Sequence, residues 1–325
     1  MKTRTFCGTQ ISEVGIGCWQ LGGDWGPAID RDKCFEILTA AVDNDISFFD
    51  TADVYGAGRS ERLIGEFFKD KQRKPFIATK FGRGGDAYPD RYTEDVLRRS
   101  VEASLTRLDV DSLDLLQLHC IPTAVLNEGK IFEQLRKIKQ EGLIKHFGAS
   151  VETVEQGIYC AQQEDLSSLQ VIINIFRQNA LPELFPLAQK NGVGIIARLP
   201  LASGLLSGKF TQITKFSEGD HRNFNRDGQC FNVGETFSGL TYEKGLELCK
   251  KLNTLKPGEV SLAEMSLRWI LDQPAISTII PGASSVEQVA NNARASDLPS
   301  LPEETHQSLS AFYTDEVEAF IRGEY

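Results

Sequence analysis

Long apolar runs are missing from this sequence. No stretch of the 325 residues approaches the roughly 20 consecutive apolar residues that a membrane-spanning helix requires. The opening segment MKTRTFCGTQ carries some positive charge, but no hydrophobic segment follows it. We therefore expect neither a secretory signal peptide nor a membrane anchor.

Basic charge and paired cysteines are also scarce. The chain has 45 Asp and Glu residues against 35 Lys and Arg, a net charge of −10, and it has no basic stripe. This balance argues against binding to nucleic acid or to anionic lipid. The seven cysteines are scattered and never form a CxxC pair, which argues against a disulfide framework or a zinc site. We expect a cytoplasmic protein without a bound metal.

What the sequence does contain is an alternation of short apolar runs with segments of helical periodicity. The runs are rich in Ile, Val, Phe and Leu, as is typical of strands buried on both faces. They are VGIG (14–17), ISFFD (46–50), FIATK (76–80), SLDLLQLH (112–119), LIKHFGA (143–149), LQVIIN (169–174), VGIIARL (193–199) and ISTIIPG (276–282). Eight strands alternating with helices predict an α/β fold, a closed (β/α)8 TIM barrel. The alternative is a doubly wound open sheet, but GIGCWQLGG (15–23) lacks its GxGxxG fingerprint.

Cap residues mark where several helices begin. Asp30 precedes a helix over 31–44, and Thr93 opens a helical segment over 93–108. Two further starts have the spacing of a capping box, Ser261 with Glu264 and Ser285 with Gln288.

Three segments lie outside the regular alternation. We expect the first dozen residues to form a hairpin over the barrel floor, and residues 302–322 to form an extra C-terminal helix. The stretch 203–240 is long and rich in Gly, Ser, Asn and charge, which is typical of a functional loop. Since there is no credible linker, we expect one domain over 1–325.

Four chemically active side chains fall at one end of the predicted barrel. Active sites of this fold lie at the carboxyl ends of the strands. Strands two, three and four end in Asp50, Lys80 and His119, and Tyr55 follows Asp50 in FFDTADVYG. A nearby ammonium should lower the pKa of a phenol, and a carboxylate keeps that ammonium charged. The group therefore predicts a general acid for a carbonyl that receives a hydride from a bound cofactor.

In these contexts the four residues resemble the catalytic tetrad of the aldo-keto reductases. The resemblance runs nearly end to end, through GCWQLGG, DTADVYG, LDLLQLH, FGAS, PLASGLLSGK and IPGASSVEQ. It implies that Tyr55 donates the proton, that Lys80 and Asp50 adjust the pKa of Tyr55, and that His119 orients the substrate. Trp19 would form a wall of the substrate pocket, with packing in the core as the alternative, and Trp25 is a weaker candidate at the tip of the same loop.

The same resemblance implies a nicotinamide dinucleotide lying extended across the barrel mouth. Ser150, Gln170 and Asn174 match positions beside the nicotinamide carboxamide. Arg198 stands where many relatives have an aromatic residue that stacks on the nicotinamide, and a planar guanidinium can also stack. Further matches on the pyrophosphate and adenosine sides are Gly204, Leu206, Lys209, Gly282, Ser284, Gln288, Asn291 and Asn292.

Positions 284 and 285 bear on the preference between NADP and NAD. Many NADP-preferring relatives carry Lys or Arg at position 284 or 285, whereas this chain has Ser284 and Ser285. A 2′-phosphate would have to use hydroxyls, backbone N–H groups, or an arginine of the long loop such as Arg222 or Arg226. The family habit favours NADPH, with NAD(H) as the alternative.

Two other functions are compatible with the same residues. One is a regulatory subunit that binds the nicotinamide cofactor without turnover. The other is an aldolase or lyase that uses Lys80 as a Schiff-base nucleophile. For the leading hypothesis the substrate is a small aldehyde or ketone, sugars included. The sequence gives no prediction of the oligomeric state.

Overall fold

A computed structural model of the chain describes residues 1–23, 29–72 and 74–325. Its main feature is a sheet of eight parallel strands that follow one another in chain order. These strands are β3 (Ile16–Gly17), β4 (Phe48–Asp50), β5 (Phe76–Phe81), β6 (Leu113–His119), β7 (Ile144–Ser150), β8 (Leu166–Ile172), β9 (Gly194–Arg198) and β10 (Ile276–Ile279). Each predicted apolar run overlaps one strand, although β8 begins three residues earlier than expected.

The sheet closes between its first and last strands. Parallel bridges join Val14 to Ile279 and Gly17 to Gly282, and the Gly15 N–H donates to the Ile279 carbonyl at 2.8 Å. The (β/α)8 barrel is therefore confirmed, and the open doubly wound sheet is wrong.

A hairpin covers the amino end of the barrel, as the sequence predicts. It consists of β1 (Thr3–Phe6) and β2 (Thr9–Ser12), which pair in antiparallel register. The Phe6 ring packs edge-on against Phe48 and Phe76, with centroid distances of 5.8 and 5.5 Å. Since both partners begin barrel strands, Phe6 closes the barrel floor.

Helices accompany the strands, and those of eight or more residues each bury at least two apolar side chains. The helices are α1 (Trp19–Gly22), α2 (Arg31–Asp43), α3 (Arg59–Phe68), α4 (Glu94–Leu108), α5 (Thr123–Glu128), α6 (Lys130–Gln140), α7 (Val154–Ala161), α8 (Leu184–Lys190), α9 (His221–Phe224), α10 (Tyr242–Leu252), α11 (Leu262–Leu271), α12 (Val286–Ala293) and α13 (Glu303–Phe312). The predicted caps at Asp30 and Thr93 accept hydrogen bonds from the first turns of α2 and α4.

Of the two predicted capping boxes, one is complete. Ser261 and Glu264 form both reciprocal hydrogen bonds at the start of α11. At α12, Ser285 accepts from the Gln288 N–H, but the Gln288 side-chain oxygen accepts from the N–H and hydroxyl of Ser284 instead. The second prediction is thus wrong in its reciprocal half, because a closer donor is available one residue earlier.

The extra C-terminal helix is present but shorter than expected. After α13 the chain continues as a π turn (Tyr313–Val317) and a 3-10 turn (Glu318–Phe320). In the three described stretches of the chain, no helix combines the length and apolar character needed to cross a membrane.

Candidate active site

Asp50, Lys80 and Tyr55 meet at the carboxyl ends of β4 and β5. The Lys80 Nζ donates to Asp50 Oδ2 at 2.6 Å, to the Thr51 carbonyl at 2.8 Å and to the Tyr55 hydroxyl at 3.1 Å. The side chains of Asp50 and Lys80 are 3% and 1% exposed. The ammonium thus bridges a buried carboxylate and a phenol.

A close approach of two backbone segments positions Tyr55. A Cβ at Gly22 would lie 2.8 Å from the Gly56 nitrogen, and one at Gly56, whose φ is +61°, would lie 2.3 Å from the Gly22 oxygen. Only glycines allow α1 to lie this near to the loop after β4. As a result the ring of Trp19 stacks on that of Tyr55, with centroids 6.4 Å apart and planes inclined by 23°. Trp19 therefore lines the site; Trp25 lies outside the described residues.

His119 ends β6 on the other side of the phenol. Its ring is edge-on to Tyr55 with centroids 6.0 Å apart. Burial holds the pKa of His119 well below its ordinary value, and the charges of Arg83 and Lys80 lower it further. The imidazole is therefore neutral at physiological pH. Its buried Nδ1 has no hydrogen-bond partner in the part of the chain that the structure describes.

The protonation states of the phenol and the ammonium follow from burial and charge. Burial raises the pKa of Tyr55, and the Lys80 ammonium offsets only part of that rise. The expected net lowering is thus wrong, because desolvation of the phenolate outweighs the ammonium. Burial alone would lower the pKa of Lys80, but the Asp50 carboxylate reverses this and the net direction is upward. A charged Lys80 is a poor amine nucleophile, which argues against the Schiff-base alternative.

Gln170 and Asn174 form hydrogen bonds within the protein. The Gln170 Nε2 donates to Asp50 Oδ1 at 2.7 Å. The Asn174 amide nitrogen donates to the Leu199 carbonyl and to the Ser238 hydroxyl, both at 2.9 Å. These contacts place Gln170 beneath the tetrad and make Asn174 a brace between the end of β8 and the long loop.

Ser150 and Arg198 retain capacity for a ligand. The Ser150 hydroxyl makes a 3.7 Å contact with the Cys120 sulfur. Arg198 ends β9; its Nη2 donates to the Val151 carbonyl at 3.2 Å. Its buried Nε has no hydrogen-bond partner among residues 1–23, 29–72 and 74–325. A flat guanidinium with an unused donor at the barrel mouth fits a nicotinamide ring with its carboxamide.

The long loop returns to the barrel mouth through Glu235. This carboxylate pairs with Arg83 at 2.8 Å and lies 3.5 Å from Arg198. Burial would raise the pKa of Glu235, but the two guanidinium groups lower it to about 2. Glu235, Glu152 and Cys120 also place their ligand atoms within 4.8 Å of one another. Because the two arginines already neutralise the carboxylates, we assign no metal to this cluster.

His221 of α9 also reaches the site. Its ring lies 4.8 Å from that of Trp19. Burial lowers the pKa of His221 to about 4, although Asp220 opposes the shift. The loop thus brings a neutral imidazole into contact with the Trp19 ring.

The remaining predicted cofactor residues lie along the rim. Leu206 is buried, whereas Lys209 and Ser284 are exposed. Arg222 approaches Gly204, because a Cβ there would lie 3.6 Å from Arg222 Nη1, and its guanidinium pairs with Asp220 at 2.6 Å.

Other residues that were predicted to face the cofactor contact neighbouring parts of the chain. Arg226 donates to the Arg222 carbonyl at 3.2 Å. On the other side, Asn291 accepts from Arg294 at 2.6 Å, Asn292 is buried in α12, and Gly282 bridges to Gly17.

Sequence reasoning missed Gln117, Arg83 and Glu235. Gln117 could have been found, since it is an amide two residues before His119 in the same strand and therefore faces the same side. Arg83 and Glu235 lie in loops that carry no periodic signal, so nothing in the sequence indicates that they meet.

Comparison with known proteins identifies the family. The model of the aldo/keto reductase family matches residues 13–314. The chain belongs to the aldo/keto reductase family. This aldo-keto reductase is 30% identical over 305 residues to the uncharacterized oxidoreductase YqkF of Bacillus subtilis, covering 93% of this chain and 92% of that one.

Two further relatives bear on function. The aldo-keto reductase yakc [NADP(+)] of Schizosaccharomyces pombe is 28% identical, with 90% of this chain and 86% of that one covered. The solved structure of the glycerol dehydrogenase AKR11B4 from Gluconobacter oxydans superposes with a TM-score of 0.80 at 28% identity, covering 100% of this chain and 98% of that one. Family membership makes this aldo-keto reductase an oxidoreductase and supports reduction of small-molecule carbonyl groups with a nicotinamide cofactor.

Proposed function

We propose that this aldo-keto reductase is a cytoplasmic enzyme that reduces an aldehyde or ketone to an alcohol, with Tyr55 as the general acid. The observation that carries the proposal is the Lys80 ammonium, which lies 3.1 Å from the Tyr55 hydroxyl and 2.6 Å from the Asp50 carboxylate. A phenol with a raised pKa holds its proton at neutral pH, and the ammonium stabilises the phenolate that forms when the proton leaves.

The neutral state of His119 suits a group that orients the substrate. A neutral imidazole beside the phenol can donate a hydrogen bond to the carbonyl oxygen without competing as an acid. The proton from Tyr55 and this hydrogen bond then reach the same oxygen. The Trp19 ring lies on the Tyr55 ring and forms an apolar wall beside it.

For the cofactor we propose NADPH, with NADH as the alternative. Bound NAD(P)H would supply the hydride. Ser150 and Arg198 would hold the nicotinamide, and the rim residues Gly204, Lys209 and Ser284 would face the phosphates and adenosine. The name of the fission-yeast relative, which specifies NADP(+), supports this choice.

The substrate is a small carbonyl compound. Because the structural relative from Gluconobacter is named a glycerol dehydrogenase, the first panel should contain glyceraldehyde, dihydroxyacetone and aldose sugars beside simple aldehydes and ketones. Loss of NAD(P)H absorbance with at least one of them is the expected result. Tight dinucleotide binding with no turnover on any carbonyl would favour the regulatory alternative.

Replacing the proton donor tests the assignment directly. We expect Tyr55→Phe to lower kcat by roughly 10²- to 10⁴-fold, the usual contribution of a general acid. Dinucleotide affinity, measured by fluorescence, should change by less than about twofold because the ring remains.

The matched control is Tyr159→Phe. This tyrosine lies on α7, and its hydroxyl donates to the Asn127 carbonyl at 3.4 Å, so kcat should be unchanged. Near-normal turnover in Tyr55→Phe would show that another group donates the proton.

A further inference from the structure

The tetrad rests on a second layer of polar contacts inside the barrel. Asp50 uses only Oδ2 for Lys80. Its other oxygen, Oδ1, accepts from Gln170 Nε2 at 2.7 Å and from Gln117 Nε2 at 3.2 Å. The two amides also contact each other, with Gln170 Nε2 lying 3.4 Å from Gln117 Oε1.

The barrel topology explains why these three side chains converge. Asp50, Gln117 and Gln170 belong to β4, β6 and β8, the second, fourth and sixth strands of the barrel. Side chains from alternate strands share one interior layer in this fold. The register pairs Lys80 with Gln117 across β5 and β6, so Gln117 neighbours both members of the ion pair.

The layer beneath this one is apolar. Phe48, Ala78, Leu115 and Ile196 are buried there in one cluster. A carboxylate oxygen facing such a layer without donors would be strongly destabilised. The two amides supply those donors, and both are buried, Gln117 with no exposed surface and Gln170 with 2% exposed.

We propose that Gln117 is a positioning residue that, together with Gln170, fixes the Asp50 carboxylate and thereby holds the Lys80 ammonium at the Tyr55 hydroxyl. The inference rests on the proposed function, in which Tyr55 is the acid. It assigns Gln117 an effect on proton donation although Gln117 itself touches neither substrate nor cofactor.

The test replaces the amide by an apolar chain of similar length, Gln117→Met. We expect kcat for carbonyl reduction to fall about tenfold, while the carbonyl KM and dinucleotide affinity stay within about twofold. Because the ammonium is then held less firmly at the phenol, the alkaline limb of the kcat profile should move to higher pH by about half a unit.

A buried glutamine elsewhere provides the matched control. The Gln178 Nε2 donates to the carbonyls of Ile175 and Leu309 at 2.9 and 3.0 Å. Gln178→Met should lower Tm through the lost hydrogen bonds but leave the kcat profile unchanged. If Gln117→Met does not fold, Gln117→Asn keeps the amide on a shorter chain and should lower kcat by a smaller factor.

A crystal structure of the folded variant separates this inference from the proposed function. A Lys80 Nζ displaced from the Tyr55 hydroxyl supports the positioning role even if no carbonyl is ever reduced. An Asp50–Lys80–Tyr55 arrangement that is unmoved, or a kcat profile identical to that of the parent enzyme, would overturn it.

Discussion

At the residue scale, Tyr55 shows how burial and a neighbouring charge act in opposite directions. Burial raises the pKa of the phenol, while the Lys80 ammonium lowers it without cancelling the rise. In the mechanism that we propose, the phenol keeps its proton until a substrate oxygen accepts it, and the ammonium would then stabilise the anion. Burial and the ammonium would therefore both be needed, because burial would retain the proton and the charge would assist its transfer.

A second residue, Ser284, bears on the choice of dinucleotide. Its hydroxyl and N–H both donate to Gln288 Oε1, at 3.1 and 2.7 Å, and the side chain is exposed on the rim. We expect Ser284→Arg to raise the preference for NADPH over NADH by roughly tenfold, the effect of one charged hydrogen bond to a phosphate. The measurement is kcat/KM for both dinucleotides.

The control for that change is Ser300→Arg, which adds the same charge at an exposed position after α12. It should leave the ratio unchanged. An equal ratio in Ser284→Arg and the parent enzyme would reject the placement of the adenosine beside position 284.

Single residues also show how far the sequence can predict the candidate site. Asp50, Lys80 and His119 could be placed together because each ends, or nearly ends, a strand, and parallel strands of a barrel end at one face. The contact of Gln170 with Asp50 could not be predicted, because it depends on the rotamer of a long side chain, and packing determines that rotamer. The resemblance placed Gln170 at the cofactor, whereas its amide nitrogen points to Asp50 in the structure.

At the scale of elements, local signals predicted both ends of α2 and α4 to within one residue but did not predict the end of the C-terminal helix. Asp30 and Thr93 cap helices because their side chains satisfy free N–H groups within three residues, a purely local interaction. The C-terminal helix has no comparable stop signal, and after Phe312 it changes into π and 3-10 turns. For the same reason the sequence indicated that 203–240 is a loop but not that it folds onto the barrel mouth.

The loop 203–240 is fixed at several points. The Ser203 hydroxyl donates to the Glu235 carbonyl at 3.2 Å and accepts from the Phe237 N–H at 3.1 Å. Glu235 then pairs with Arg83, and Arg322 donates to the Gly239 carbonyl at 2.8 Å. These contacts hold the loop over the site, and we expect its release to be a separate equilibrium from unfolding of the barrel.

We expect this release to depend on pH through His221. The pKa of this buried imidazole is about 4 in the folded loop, against 6.5 ordinarily. The released loop therefore binds more protons between these values, and the closed state loses stability as pH falls from 6.5 through 4. Hydrogen–deuterium exchange of residues 208–232, corrected for intrinsic rates, should rise over this interval.

Two variants separate the causes. His221→Gln should remove the rise between pH 6.5 and 4, because the titrating group is gone. Glu235→Gln should increase exchange already at pH 7, since Glu235, with a pKa of about 2, is ionised across the whole interval. A rise that persists in His221→Gln would assign it to another group.

At the scale of the whole molecule, a buried network ties the two ends of the chain to the barrel. Arg268 on α11 pairs with Asp272 at 3.0 Å and lies 3.6 Å from Glu13, which follows the hairpin. Glu13 also pairs with Arg4 of β1 at 2.8 Å, and Asp272 contacts His306 of α13 at 3.2 Å. The hairpin, α11 and the C-terminal helix are thus joined by ion pairs and by the polar contact between His306 and Asp272 as well as by apolar contact.

This network supports our proposal that residues 1–325 form one domain, which predicts a single cooperative unfolding transition. Arg268 is 4% exposed, so Arg268→Met removes a buried guanidinium while Glu13 keeps Arg4 and Asp272 keeps His306 as partners, and it should cost about 1–3 kcal/mol of unfolding free energy. Thermal unfolding should show one transition shifted to lower temperature, with dinucleotide affinity unchanged below it.

Arg31→Met is the matched control, because Arg31 and its partner Glu66 are half exposed, and it should leave Tm unchanged. Two separate transitions, in the parent or in Arg268→Met, would show that the ends of the chain fold independently of the barrel.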